Sequence, residues 1–308
     1  LAETGVDWNG ATAILNVAHQ FWSWSRTVEG YTPGSDTLPY HITMNEYHTV
    51  GRNWWHDDYY YLMGKREALD APGEWYLAGD GTLSFMPPAQ AGNGPRDLRA
   101  KQRDYGFVGK GLTHVEVSGF RFFGCTFQLT DCEDCLIEYC NLLYPSYARG
   151  VPNAEEKDKR KPCPGTTVSG KRNIIRSCSF EHCPNFGVVL QGEKNVIENC
   201  LVHDVNWAGT LHYTAVALRG SKGVEKPANV ARHNTLYNVG NTILTCSGPF
   251  SVVEYNHVHH GGLISADVSL LYTSMPSANG LEFRYNWVHD SLSPNHSLGI
   301  RGDDKTRG

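Results

Sequence analysis

One short phrase recurs six times between residues 136 and 286 of this chain, and its spacing constrains the fold more than any other feature. Each copy ends at a Cys or Asn anchor, as in Leu136-Ile137-Glu138-Tyr139-Cys140, and an apolar residue follows two positions later. The shortest spacing between anchors is about 22 residues, and insertions lengthen the others, which is typical of a solenoid. Each unit is too small to bury a core, so we expect the units to stack. The anchors are Cys140, Cys178, Cys200, Asn234, Asn256 and Asn286.

The phrase alternates apolar and polar residues over about five positions and then breaks at a turn residue. That alternation has the period of a β-strand, not of a helix. Equivalent strands one coil apart would then lie about 4.8 Å from each other. The sequence therefore predicts that each coil places the same residue type above its predecessor.

The residues two positions before the anchors predict the register of the stacked strands. Their charges alternate in sign at every step. Opposite charges on neighbouring strands are mildly favourable, and like charges are unfavourable. Each exposed pair contributes about 0–1 kcal/mol, so the column specifies register more than stability. We expect Glu198 and Arg232 to lie side by side, and the anchors to form a second column of buried thiols and stacked amides. The charge column is Glu138, Arg176, Glu198, Arg232, Glu254 and Arg284.

Composition limits the classes of partner. The chain has 308 residues and a net charge of −5, without a long basic stripe, so we expect no nucleic-acid partner. No apolar run is long enough to span a membrane. The nine Cys follow no zinc spacing, and Cys132 and Cys135 form a lone C-x-x-C. His203, His259 and His289 share one position after their anchors, which favours a stacked surface column over a metal site. We expect no metal and no cofactor.

The chain divides into two parts. Residues 1–108 lack the repeat, are rich in Trp and Tyr, and predict a small β-rich module that ends in a linker. Residues 109–308 form the solenoid, whose insertions fall near 144–165, 207–227 and 260–280. We expect the coil to continue beyond residue 308.

Two motifs carry a family resemblance. The anchor phrase, continuing as Asn256-His257-Val258-His259-His260, resembles the repeat of right-handed parallel β-helix carbohydrate-active enzymes. The segments Glu67 to Tyr76 and Gly81 to Pro88 resemble the β-rich module inserted into β-helix glycoside hydrolases of bacterial polysaccharide-degrading systems. The resemblance implies an all-β, right-handed parallel β-helix with a smaller module. It also implies a protein that is secreted, periplasmic or on the cell surface, with a polysaccharide or oligosaccharide as substrate.

Glycoside hydrolysis needs a carboxylic acid and a second carboxylate, so acids outside the repeated columns are the candidates. Asp267 matches the Asp of a segment that precedes the same kind of strand in the related hydrolases, and Asp303-Asp304 resembles their strand-end Asp pair. If Leu271 stacks on Ile300, a straight strand would separate Asp267 from Asp303 by roughly 20 Å. The loop before Leu271 must therefore curl back. Otherwise Asp303 or Asp304 must act with a residue beyond 308.

Planar donors and aromatic rings near the same rim are the candidate substrate-binding residues, since sugars are bound by both. They are His212, Arg219, Tyr272, Arg301 and Trp207.

Three functions are compatible with these residues. The first is a secreted glycoside hydrolase acting on a plant or algal polysaccharide through paired Asp carboxylates. The second is a polysaccharide lyase acting by β-elimination on a uronate, with Arg219, Lys222, His212 or Arg301 as base. The third is a non-catalytic, glycan-binding β-helix of the adhesin or tailspike kind. The sequence fixes neither the sugar nor the oligomeric state.

Overall fold

The chain folds into an all-β solenoid preceded by a smaller antiparallel module. The computed structural model describes residues 1–17, 20, 22–41, 59–88, 98–146, 165–211, 213–221, 223–274, 279–303 and 306. Two short 3-10 helices, Ala2–Thr4 and Arg66–Ala68, are the helices among these residues, and neither has the length or apolarity to cross a membrane. The module contains β1 (Thr12–Val17), β2 (Trp22–Thr27), β3 (Tyr59–Met63), β4 (Trp75–Leu77) and β5 (Leu83–Phe85).

The solenoid has three parallel sheets, which the chain visits in the order A, B, C in every coil. Sheet A contains β6 (Tyr105–Lys110), β9 (Thr126–Glu133), β12 (Thr166–Lys171), β15 (Val188–Glu193), β18 (Val216–Gly220), β21 (Leu244–Cys246), β24 (Ser269–Ser274) and β27 (Leu298–Asp303). Sheet B contains β7 (Glu116–Ser118), β10 (Leu136–Glu138), β13 (Ile174–Arg176), β16 (Val196–Glu198), β19 (Val230–Arg232), β22 (Val252–Glu254) and β25 (Glu282–Arg284). Sheet C contains β8 (Arg121–Phe123), β11 (Asn141–Leu143), β14 (Ser179–Cys183), β17 (Leu201–Val205), β20 (Thr235–Val239), β23 (His257–Gly261) and β26 (Trp287–Ser291). The parallel β-helix expected from the repeat is confirmed.

The charge column sets the register of sheet B as predicted. Glu198 pairs with Arg232 in the ladder, and Arg232 Nη2 lies 2.6 Å from Glu198 Oε2. Arg176 and Arg284 each bond the Glu of the preceding coil at 2.7 Å. Each Arg therefore bonds the Glu one coil earlier, which confirms that the coils stack in the predicted register.

The anchors turn inward at the corner between sheets B and C. Asn234 donates to Asn256 Oδ1 at 2.9 Å, and Asn256 donates to Asn286 Oδ1 at 3.0 Å. The anchor thiols Cys140, Cys178 and Cys200 are buried. The predicted column of thiols and amides is confirmed.

The interior is filled by one inward-facing residue from the middle of each short strand. Ile137, Ile175 and Ile197 of sheet B and Phe180 and Val202 of sheet C are almost completely buried. Burying an aliphatic side chain of this size contributes about 1.5–3 kcal/mol, so the stacked rows form the main stabilising core. Seven cysteines in the described part of the chain are free thiols, namely Cys125, Cys132, Cys135, Cys140, Cys178, Cys200 and Cys246, and Cys163 lies outside that part.

The amino-terminal module has a core of its own. Strand β1 pairs antiparallel with both β2 and β3, and its core includes Trp8, Trp24 and Tyr31. The β-rich character predicted for this part is observed in its strands, and β5 forms an antiparallel pair with β4. The first solenoid strand begins at Tyr105, and the division of the chain at residue 108 remains a prediction. Part of the predicted linker, 89–97, lies outside the described residues.

Candidate functional site

The outward face of sheet A carries most of the candidate residues that the structure describes. Side chains alternate along a strand, and Leu218 and Leu271 point inward and are completely buried. Arg219 and Tyr272, each next to one of these leucines, therefore point outward. Tyr272 pairs with Arg301 in the ladder, so both belong to one outward row.

Asp267 reaches this face from a turn. It ends the loop between β23 and β24 and has a left-handed backbone, with φ of 53°. Asp is among the residues that tolerate this conformation best. Its N–H donates to the carbonyl of Asn295 at 2.9 Å, which ties the loop to the one before β27. A straight strand would separate Asp267 from Asp303 by about 20 Å. This turn is the bend in the loop that the sequence analysis required to bring the two residues closer.

Arg301 joins the two candidate carboxylates. Its Nη1 donates to Asp267 Oδ1 at 2.7 Å, and its Nη2 lies 2.9 Å from Asp303 Oδ2. The terminal nitrogens of one guanidinium are about 2.3 Å apart, so these carboxylate oxygens can be at most about 8 Å apart. That limit accommodates both the retaining and the inverting arrangement of glycosidase carboxylates.

Tyr272 and the network of charges define the electrostatics of the pair. The hydroxyl of Tyr272 donates to Asp303 Oδ2 at 3.2 Å, and burial raises the pKa of this phenol above its usual value. Partial burial alone would lower the pKa of Arg301, but the hydrogen bond and charge of Asp267 and the charge of Asp303 raise it overall. Arg301 therefore stays protonated and acts as a fixed clamp between the acids.

The remaining predicted residues are more scattered. His212 and Asp304 lie outside the described residues. Arg219 lies on the same face as Tyr272, but among the described residues its guanidinium packs on Phe186 and not on the Asp–Arg network. Trp207 lies on the corner between sheets C and A and not on the face.

Trp207 instead lines a cleft of about 350 Å³ that the sequence did not reveal. One wall is formed by Leu263, Leu292 and other residues of the C-to-A corner, and the other by Asn16 and the run 59–61 of the amino-terminal module. The three tyrosines of that run are exposed, as is Trp207. The carbonyl of Gln20 accepts a hydrogen bond from Ala266 N, so the loop that carries Asp267 also holds the module in place. The one sequence signal for the cleft is the aromatic run 59–61.

The histidines of sheet C form a stack, as their shared position predicted. The Tyr237 ring lies 4.8 Å from His203 and 5.0 Å from His259, with rings almost parallel, and His259 stacks on His289. In the part of the chain that the structure describes, no three His, Cys, Asp or Glu side chains are grouped to hold a metal ion.

A family model agrees with the architecture. A family model described as "Right handed beta helix region" matches residues 164–297, which supports the right-handed sense expected from the resemblance. A solved structure titled "Glycoside hydrolase" aligns with 97% of this chain and 70% of its own at 12% identity and a TM-score of 0.49. No curated protein matches the chain significantly. The resemblance to a right-handed parallel β-helix is confirmed by the family match together with the three parallel sheets.

Proposed function

We propose that this protein acts on glycans and is a glycoside hydrolase whose working carboxylates are Asp267 and Asp303. The observation that carries the proposal is the convergence of both carboxylates on Arg301, on the solvent-facing side of sheet A. Two acids held within about 8 Å on an accessible face are what glycosidic cleavage requires. The resemblance of the amino-terminal segments to the module of β-helix hydrolases supports the same activity.

The surroundings of the two acids suggest their roles. Asp303 lies against Arg301 and accepts a hydrogen bond from the Tyr272 hydroxyl, and these two contacts fix the orientation of its carboxylate, as suits a nucleophile or a base. Asp267 accepts a hydrogen bond from Arg301 through Oδ1, and 40% of its side chain is exposed, so its other oxygen can take up a proton from solvent and pass it to the leaving group. Asp304, which is adjacent to Asp303 in the sequence, remains a proposed alternative to it.

A polysaccharide lyase is the second candidate. A lyase base must be able to lose a proton, and Arg301 is held protonated by two carboxylates. Arg219 favours the lyase, because a cation that has no carboxylate partner among the described residues suits a uronate. Lys222 and His212, the other bases considered, lie outside the described residues.

The test is a panel of plant and algal polysaccharides, assayed for new reducing ends and for the ultraviolet absorbance of a new C=C bond. The proposal predicts reducing ends without that absorbance. Asp267→Asn and Asp303→Asn should each lower kcat by roughly 100-fold or more, because each removes one partner of the acid–base pair. Their melting temperatures should stay close to that of the unaltered protein.

Asp80→Asn is the matched control. Asp80 accepts a hydrogen bond from Thr82 N in an exposed turn of the β4–β5 hairpin, which Asn can also accept, and kcat should not change. Full activity of both Asp267→Asn and Asp303→Asn on a cleaved glycan would show that the carboxylate assignment is wrong. A new C=C absorbance would favour the lyase, and binding without cleavage across the panel would favour an adhesin.

A further inference from the structure

Arg219 differs in its contacts from five other arginines of the solenoid. Residues Arg172, Arg176, Arg232, Arg284 and Arg301 all contact carboxylates. Among the described residues, Arg219 has no carboxylate within ion-pair distance, although its side chain is half-buried. Burying a charge without a partner is unfavourable, so this placement requires an explanation.

Aromatic rings hold the guanidinium in place. The Arg219 guanidinium carbon lies 4.9 Å from the centre of the Phe186 ring, and Phe186 packs on Tyr213 at 4.3 Å. Burial lowers the pKa of Arg219, but an arginine remains protonated at neutral pH. The cation–π contact offsets part of the cost of desolvation and orients the planar group, but within the described part of the chain no anion contacts its N–H donors.

The register places Arg219 and Asp303 in one outward row. Leu218 pairs with Cys246, Thr245 with Tyr272, and Ser274 with Asp303, so the row runs through Arg219, Ser247, Ser274 and Asp303. Ser247 N donates to the carbonyl of Leu218 at 2.9 Å, which extends the ladder to this position. Three strand spacings separate the ends of the row, or about 14 Å, which is a span of roughly three sugar rings.

Small side chains lie between the two ends of this row. Ser247 and Ser274 occupy the intervening positions, and Ala217 and Thr245 precede Tyr272 and Arg301 in the neighbouring row. The large charged side chains Arg219 and Asp303 therefore lie at the ends of a flat strip of surface that carries small hydroxyl side chains. A chain of sugars lying across the strands could contact the carboxylates at one end and Arg219 at the other.

We infer that Arg219 is an anion-binding subsite for a glycan that carries a carboxylate or a sulfate ester about three sugar rings from the point of cleavage. The position of the cleaved bond in this inference rests on the proposed function. The binding of the anion by Arg219 does not. A guanidinium whose N–H donors meet no carboxylate in the described ranges matches the paired oxygens of either group. Gln191, which pairs with Arg219 in the ladder, offers a neutral donor and acceptor beside it.

The experiment uses the Asp303→Asn variant, so that binding is measured without turnover. The probes are an oligogalacturonate and its fully methyl-esterified form, and a sulfated galactan oligosaccharide and its desulfated form. Calorimetry should show that at least one charged probe binds at least about tenfold more tightly than its neutral counterpart. The first pair reports on carboxylates and the second on sulfates.

Adding Arg219→Met should abolish that preference, and Arg219→Lys should retain part of it, because Lys keeps the charge but not the planar fork. Arg232→Met, on sheet B, is the matched control and should leave the preference intact. A merely structural Arg219 would lose stability on replacement by Met, whereas removal of a half-buried charge without a carboxylate partner should leave the melting temperature unchanged or higher.

The inference is overturned if no charged probe binds, if charged and neutral probes bind equally, or if Arg219→Met keeps the preference. Its failure is distinguishable from failure of the proposed function. If a neutral glycan is cleaved and Arg219→Met does not change its cleavage, the anion-binding subsite is wrong and the hydrolase proposal stands. If the protein prefers charged probes through Arg219 but cleaves no glycan, the subsite stands and the hydrolase proposal is wrong.

Discussion

Arg301 is the residue on which the paired-acid interpretation depends. Without it, the carboxylates of Asp267 and Asp303 would repel each other, and among the described residues no other side chain contacts the Asp267 carboxylate. The sequence identified both acids and Arg301 separately. It did not predict that one guanidinium would bridge them, because that depends on the left-handed turn at Asp267.

Tyr272 provides a test at the scale of a single residue. Tyr272→Phe removes the hydroxyl that donates to Asp303 Oδ2 but keeps the ring. A hydrogen bond to a charged group contributes about 1.5–3 kcal/mol, so kcat on a cleaved glycan should fall by roughly tenfold or more, with little change in KM. Steady-state kinetics measure both constants.

Tyr285→Phe is the control for that substitution, since Tyr285 is exposed on a distant corner and stacks on Tyr255. Its kcat should equal that of the unaltered protein. If Tyr272→Phe also keeps its full kcat, Asp303 does not need this donor, and its proposed role as an oriented nucleophile or base would have to be abandoned.

At the scale of the strand and the corner, the sequence predicted contacts along the columns better than the bends between them. Alternating charges and repeated anchors specify which residues stack, because a register shift of one residue would move every side chain to the opposite face of the sheet. The bend before each anchor is left-handed, as at Tyr139, His233 and Tyr255, where Gly or Asn would be expected. A second amide ladder, in which Asn173 donates to Asn195 Oδ1 at 3.0 Å, was also missed, although an Asn stands directly before three consecutive copies of the phrase, at 173, 195 and 229.

The anchor ladder should make a measurable contribution to stability. Asn256 accepts from Asn234 and donates to Ala231 O and Asn286, and its side chain is 1% exposed. Asn256→Ala leaves several buried polar groups without partners, so the free energy of unfolding should fall by about 3 kcal/mol. Denaturation in urea measures the change.

Asn141→Ala is the comparison, because the Asn141 side chain is exposed and makes one bond, to Ser179 Oγ at 2.9 Å. It should lower the free energy of unfolding by less than about 1 kcal/mol. Equal losses from the two substitutions would mean that the buried ladder contributes no more than a surface bond.

At the scale of the whole molecule, the stacked coils turn isolated residues into a surface. Arg219, Tyr272 and Asp303 come from three different coils, and only the shared register of sheet A places them on one face. The cleft between the amino-terminal module and the C-to-A corner could not be predicted, because it depends on how two separately packed units meet. That cleft and the face share the loops before β24 and β27, so a bound glycan could extend from one to the other.

The central claim is that the outward face of sheet A binds a glycan between Arg219 and the Asp267–Arg301–Asp303 cluster. The most direct test is a crystal structure of the Asp303→Asn variant soaked with the tightest-binding charged oligosaccharide. We expect the sugar chain to cross β18, β21, β24 and β27, with its anionic group within about 3 Å of the Arg219 guanidinium and a glycosidic oxygen beside Asp267. A sugar chain bound on sheet B or C, or confined to the corner cleft with the face of sheet A empty, would contradict the account.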